Sequence, residues 1–104
     1  MNSNLINKLD KALDMNLIVA YVTITKSTGS APGRVGDTML VYEDGNIDGT
    51  CGGGKAEYTI IQKALKCLEL KQPIPFKFEL DELGMVCGGS MEGFIDIMKY
   101  DKKL

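Results

Sequence analysis

Leu17-Ile18-Val19-Ala20-Tyr21-Val22-Thr23-Ile24-Thr25 is the stretch that decides the fold. In an extended chain successive side chains point to opposite faces, so Ile18, Ala20, Val22 and Ile24 share one side and Val19, Tyr21, Thr23 and Thr25 the other. β-Branched and aromatic residues dominate, and both sides are fairly apolar. That is the pattern of a central strand.

Upstream of it, Ser3 or Asn4 can cap a helix over residues 4–15, in which Leu5, Leu9, Ala12 and Leu13 recur at helical spacing. Downstream, Lys26 to Gly36 is a polar loop punctuated by Gly and Pro. Thr38–Tyr42 and Ile47–Cys51 then flank Glu43-Asp44-Gly45-Asn46, whose Asp-Gly predicts a hairpin. Gly52-Gly53-Gly54 ends the second of these strands and opens a long helix over residues 55–71. Its apolar set is Ile60, Ile61, Ala64, Leu65 and Leu68, and Pro73 stops it. Ile74, Phe76, Phe78 and Leu80 alternate with Lys77 and Glu79 as a half-buried strand in which Pro75 suits an edge, and a last strand covers Met91 to Met98. This order contains one strand-helix-strand crossover, which predicts two parallel strands. The expected fold is α+β, a single small domain over residues 1–104 with a mixed β-sheet of about five strands and two helices packed on it.

Composition narrows the function. The 104 residues include 12 Lys+Arg, 14 Asp+Glu, three Cys, no His and no Trp, for a net charge of −2. With 44% hydrophobic and 25% charged residues the chain is globular rather than disordered, collagen-like or coiled coil. Folding at this size buries roughly 65% of the unfolded surface, enough for one two-layer core. The charge balance and the lack of a Lys/Arg run leave no electrostatic footprint for nucleic acid. The longest apolar stretch, Leu17 to Val22, falls far short of the ~20 residues that span a bilayer. Met1-Asn2-Ser3-Asn4-Leu5-Ile6 lacks the basic start and apolar run of a secretory signal, so a cytoplasmic protein without membrane or nucleic-acid partners is expected. Without His, the usual zinc sites and His-based triads are excluded, and an odd number of cysteines argues against a disulfide framework.

Three loops hold most of the glycines: Lys26 to Gly36, Gly49 to Lys55 and Gly84 to Ser90. In the second, a strand runs through three glycines into a helix. Such a turn lets a ligand approach the backbone, and the free N–H groups of a helix start favour an anion, although the same glycines equally serve a tight strand-to-helix turn. The stretch Gly49 to Lys55 fits Gly-x-x-x-x-Gly-Lys, but Ala56 stands where a nucleotide-hydrolysing P-loop needs a hydroxyl for magnesium, which makes a nucleotide-binding enzyme the weakest reading. Cys51-Gly52-Gly53 and Cys87-Gly88-Gly89 repeat one theme. At a glycine-rich turn Cys87 can be an accessible thiolate suited to a soft metal or sulfur transfer, or a small buried hydrophobe. Cys51 at a strand end and Cys67 within the helix stripe read as packing. Lys26, Arg34 and Lys55 would oppose an anionic ligand if the loops meet, and each alone is a solvated charge. Glu57 reads as a cap of the helix start, and Glu57 and Glu92 could otherwise bind polar ring edges of a ligand.

The ordered set Gly29-Ser30-Ala31-Pro32 with Val35-Gly36, Met39-Leu40-Val41, Gly52-Gly53-Gly54 with Glu57, and Leu83-Gly84-Met85-Val86-Cys87-Gly88-Gly89 resembles the XdhC/CoxI family from Val22 to Ile97. Members are accessory proteins of molybdenum hydroxylases such as xanthine dehydrogenase. The resemblance implies a non-enzymatic chaperone that binds the molybdenum cofactor (molybdopterin) transiently, protects it during sulfuration and delivers it to the apo-hydroxylase. The alternative is a protein-protein interaction module that contacts the hydroxylase or a Rossmann-like partner without holding cofactor. Carried over by position, Cys87 is the thiol at the metal, Gly52, Gly53, Gly54 and Lys55 face the phosphate or pterin, Gly88 and Gly89 belong to the Cys87 motif, and Gly29, Ser30, Pro32 and Arg34 shape the adjoining wall. Typical members continue into a Rossmann-like domain, which residues 1–104 are expected to lack. They also have an aliphatic residue at Cys51, and several have a cysteine at Lys55. A cysteine desulfurase, a separate Rossmann-like chain and a second copy of this chain stay open as further partners, the last because an edge strand and a small core would both gain from it.

Overall fold

The central stretch forms strand β1, Val19–Thr28, in the third position of a five-stranded sheet. The computed structural model describes residues 3–85 and 88–100. Helix α1 (Ser3–Asp14) precedes β1. It ends where Asn16 turns left-handed at φ 63°, with Leu17 N–H donating to Ala12 O and Asn16 N–H to Leu13 O, the paired bonds of a Schellman stop. Strands β2 (Thr38–Tyr42) and β3 (Ile47–Gly49) form the hairpin predicted from Asp44-Gly45. Helix α2 (Gly54–Leu70), β4 (Ile74–Glu79), a 3-10 helix (Leu80–Leu83) and β5 (Ser90–Met98) complete the chain.

The spatial order is β3-β2-β1-β5-β4, and every pairing is antiparallel, so the expectation of a mixed sheet is corrected. The crossover helix α2 joins β3 and β4, which run the same way but lie on opposite edges with three strands between them. A crossover rule for neighbouring strands does not apply there, because β5 returns between β1 and β4. The α+β class, the five strands and the two helices are as expected, as are the central β1 and the edge position of Pro75 on β4. β3 stops at Gly49 rather than Cys51, and β4 at Glu79 rather than Leu80. β1 continues past Thr25 through an irregularity between Ile24 and Lys26, so that Thr28 pairs with Ser90.

The two apolar sides of β1 each receive a helix. Ala20, Val22 and Ile24 join Met39, Val41, Phe76, Phe78, Met91 and Ile95 in one core, covered by Ala56, Ile60, Ala64, Cys67 and Leu68 of α2. Val19 and Leu40, on the other face, pack with Leu5 and Ala12 of α1. Burying aliphatic side chains of this size stabilises by about 1.5–3 kcal/mol each. Among the described residues, no helix is long and apolar enough to cross a membrane.

Candidate functional site

Topology alone gathers the three glycine loops. β1 and β3 end, and β2 and β5 begin, at the same end of the antiparallel sheet, as the pairs Thr28 with Ser90, Thr23 with Thr38 and Met39 with Gly49 show. The loops connecting these ends therefore share one end of the molecule.

There the backbones interlock. A methyl group on Gly29 would stand 2.9 Å from the Gly89 Cα, and one on Gly89 would stand 2.4 Å from the Thr28 carbonyl oxygen. The first loop also abuts the second: a methyl on Gly52 would lie 2.6 Å from the Pro32 carbonyl carbon, and one on Gly33 2.7 Å from the Cys51 oxygen. Lys55 of the second loop reaches the third, with its Nζ 3.8 Å from where a methyl on Gly84 would stand. Two hydroxyls brace the junction. Ser27 Oγ donates to Gly33 O at 2.6 Å, and Thr28 Oγ1 and Ser90 Oγ are hydrogen-bonded at 2.6 Å while Thr28 Oγ1 accepts from Ser90 N–H at 3.1 Å.

The second loop is organised from within. Glu57 Oε1 accepts from Thr50 Oγ1 at 2.5 Å, Cys51 N–H at 2.8 Å and Gly53 N–H at 3.3 Å, and Thr50 Oγ1 accepts from Gly52 N–H at 3.1 Å. The expected capping role of Glu57 is thus observed, and it extends to the whole turn. Gly53, at φ 76° and ψ −176°, occupies a region that only glycine enters readily. The first amides left over are those of Gly54, Lys55 and Ala56, in the opening turn of α2, for which the described residues offer no acceptor. Among the described residues, nothing stands within 4 Å of where a methyl group on Gly53, Gly54 or Gly88 would lie.

The remaining predicted site residues are distributed as follows. Gly29 and Ser30 form the exposed turn after β1, Pro32 is half-buried against Gly52, and Arg34 is exposed, its N–H donating to Asp37 Oδ2 at 2.9 Å. Among the described residues neither Arg34 nor Lys55 joins an ion pair, whereas Lys26 faces Glu92 at 3.8 Å across β1 and β5. Cys87, named as the thiol nearest a metal, lies outside the described residues. Among those described, no group of three or more His, Cys, Asp or Glu side chains could hold a metal ion.

Cys51 and Cys67 are packing residues, as expected. Cys51 is fully buried, and its thiol is pushed up to about 12, first by burial and then by the nearby charges of Asp37 and Glu57. Cys67 is also raised by burial, and its Sγ–H donates to Gln72 O at 2.7 Å. Ala56, which breaks the P-loop pattern, points into the core and is fully buried. A groove of about 480 Å³ between Leu17, Ile18, Ile47 and Asp48 lies at the other end of the sheet, where Val19 pairs with Tyr42. The bracing hydroxyls of Ser27 and Thr28 escape a reading that ends β1 at Thr25.

The chain is 35% identical over 99 residues to the uncharacterized protein YqeB of Escherichia coli (strain K12), covering 90% of this chain and 18% of that protein. Its fold matches the crystal structure of a Bacillus halodurans protein described as a xanthine dehydrogenase, with a TM-score of 0.71 and 25% identity over 88% of this chain and 30% of the other. The chain therefore spans less than a third of either relative. The XdhC and CoxI family matches residues 13–79, and with that match and the ordered glycine loops this chain belongs to the XdhC and CoxI family.

Proposed function

We propose that this chain is a cytoplasmic accessory protein of the xanthine dehydrogenase system that carries the molybdenum cofactor. It binds the phosphorylated pterin, shields it while the terminal sulfido ligand is installed, and passes it to the apo-form of a molybdenum hydroxylase, with no catalysis of its own. One domain over residues 1–104 performs the binding. A cysteine desulfurase as sulfur source, a Rossmann-like chain and a second copy of this chain are further partners that this role accommodates.

The observation that supports this reading is the meeting of three glycine loops in a member of the XdhC and CoxI family. An anionic cargo needs backbone donors and cations without competing side chains. The amides of Gly54 to Ala56, the backbone at Gly53 and Gly88, and Lys55 and Arg34, which join no ion pair among the described residues, meet that need. Gly29, Ser30 and Pro32 wall the site from the first loop, and Gly52 and Gly89 lock the loops together. Cys87 precedes Gly88 directly in sequence and is assigned as the soft ligand for the metal. The cargo brings the metal and its sulfur chemistry, and the chain supplies the grip.

The test is retention of pterin. Wild type purified from a molybdate-supplied host should yield pterin fluorescence on oxidation, and Cys87→Ser should lose most of it. A wild type that never carries pterin overturns the carrier role, and if it copurifies with the hydroxylase it is instead an interaction module.

A further inference from the structure

Four donors of the second loop converge on two oxygens. Thr50 Oγ1–H, Cys51 N–H and Gly53 N–H all point to Glu57 Oε1, and Gly52 N–H points to Thr50 Oγ1. A run of inward-facing amides of this kind is a cradle for an anion, and here the chain's own carboxylate fills it. An incoming ligand therefore finds those donors already committed. It also finds the turn fixed, although Gly52, Gly53 and Gly54 stand at φ 108°, 76° and 65° and would otherwise sample many conformations.

We infer that Glu57 is a positioning residue for cargo binding, holding the Gly52–Gly54 turn in its open-faced shape through its hydrogen bonds while making no contact with the cargo itself. The inference rests on the carrier reading of this site. Glu57 lies one helical turn beyond Gly53 and is half-buried, and its carboxylate reaches back to the amides of Gly53 and of the fully buried Cys51. Among the described residues, the space a methyl group on Gly53 or Gly54 would take stays clear. The requirement is for an acceptor oxygen at this place. The charge is incidental, and at a site for an anion it opposes binding.

The two roles separate on substitution. Glu57→Gln keeps Oε1 as acceptor and removes the charge, whereas Glu57→Ala removes the acceptor and Thr50→Val removes only the hydroxyl that links Gly52 to the network. For each variant, pterin retained per chain and hydrogen-exchange protection of the Cys51 and Gly53 amides are measured. Glu57→Ala should lose at least tenfold in protection at both amides and most of its pterin. Glu57→Gln should restore both to wild-type level or above, and Thr50→Val should fall between while remaining folded. If Glu57→Ala, or Thr50→Val where Glu57→Ala does not fold, retains as much pterin as wild type, Glu57 does not position the turn for cargo. Greater retention would mean that its carboxylate occupies a place the cargo needs. If wild type holds no pterin, the carrier reading fails, and unchanged protection in Glu57→Ala or in Thr50→Val would separately refute the organising role.

Discussion

Gly29 and Gly89 stack backbone against backbone, so close that a methyl group on either would press into the other's strand connection. This contact welds the turn after β1 to the approach to β5. Gly89→Ala adds a clash with Thr28 O at 2.4 Å to the strain of φ 97°, while Gly88→Ala meets the strain of φ 69° and, among the described residues, no clash. Backbone strain costs about 1–2 kcal/mol, and overpacking adds about 1–3 kcal/mol. Urea unfolding should rank Gly89→Ala as the more destabilising of the two by at least about 1 kcal/mol.

Thiol reactivity separates the cysteines. With Cys51 shifted to about 12 and Cys67 raised, neither forms appreciable thiolate at pH 8 in the folded chain. In Cys87→Ser, alkylation by iodoacetamide should be slow under native conditions and should rise to two groups per chain in denaturant. Rapid native labelling of Cys51 would contradict its place beneath the glycine turn.

Stability should depend on pH at both extremes through one cluster. Tyr42 Oη–H donates to Asp48 Oδ2 at 2.6 Å, and Lys8 Nζ pairs with Asp48 Oδ1 at 2.9 Å. The Tyr42 hydrogen bond first, and Lys8 next, hold the Asp48 carboxyl below its ordinary range. Its contribution is therefore present above that range and is lost as pH falls through the lowered folded value. Tyr42 is pushed from 10.0 to about 12, chiefly by burial and then by Asp48. Its contribution is present below pH 10 and disappears as pH rises toward about 12. Urea midpoints followed across pH should show both losses in wild type. Asp48→Asn should remove the acid loss and keep most of the alkaline one, because burial remains.

The two faces of β4 and β5 should respond differently to truncation. Phe76 is buried on the α2 side, and Phe76→Ala should cost about 3–5 kcal/mol. Phe94 is 42% exposed on the opposite face, beyond the packing of α1, and Phe94→Ser should change stability by less than about 1 kcal/mol. Chemical denaturation of the two variants measures both.

Local pattern carried the elements. The alternation of Val19 to Ile24 and the helical spacing of Ile60, Ala64 and Leu68 are visible residue by residue, because each records which side faces the core. Pairing is another matter. Nothing within Met91 to Met98 states that Phe94 will sit between Thr23 and Pro75, and that insertion is what makes the sheet antiparallel throughout. The 3-10 helix at Leu80–Leu83 was missed because buried Leu80 fits the end of a strand equally well, although Glu82 closing on Glu79 N–H and Gly84 turning left-handed are capping signals. In the site, the glycine loops were legible as a concentration of one residue type. Which glycines serve close packing and which leave the backbone open depends on contacts between distant segments, such as Gly52 against Pro32, that spacing does not encode.

The most direct measurement is an amide chemical-shift map of the isotope-labelled chain on addition of molybdenum cofactor. The account predicts perturbations concentrated at Ser30, Gly54, Lys55, Ala56, Gly88 and Gly89, with Glu43 to Asp48 at the opposite end unmoved. Perturbations confined to that hairpin, or none at saturating cofactor, would contradict it.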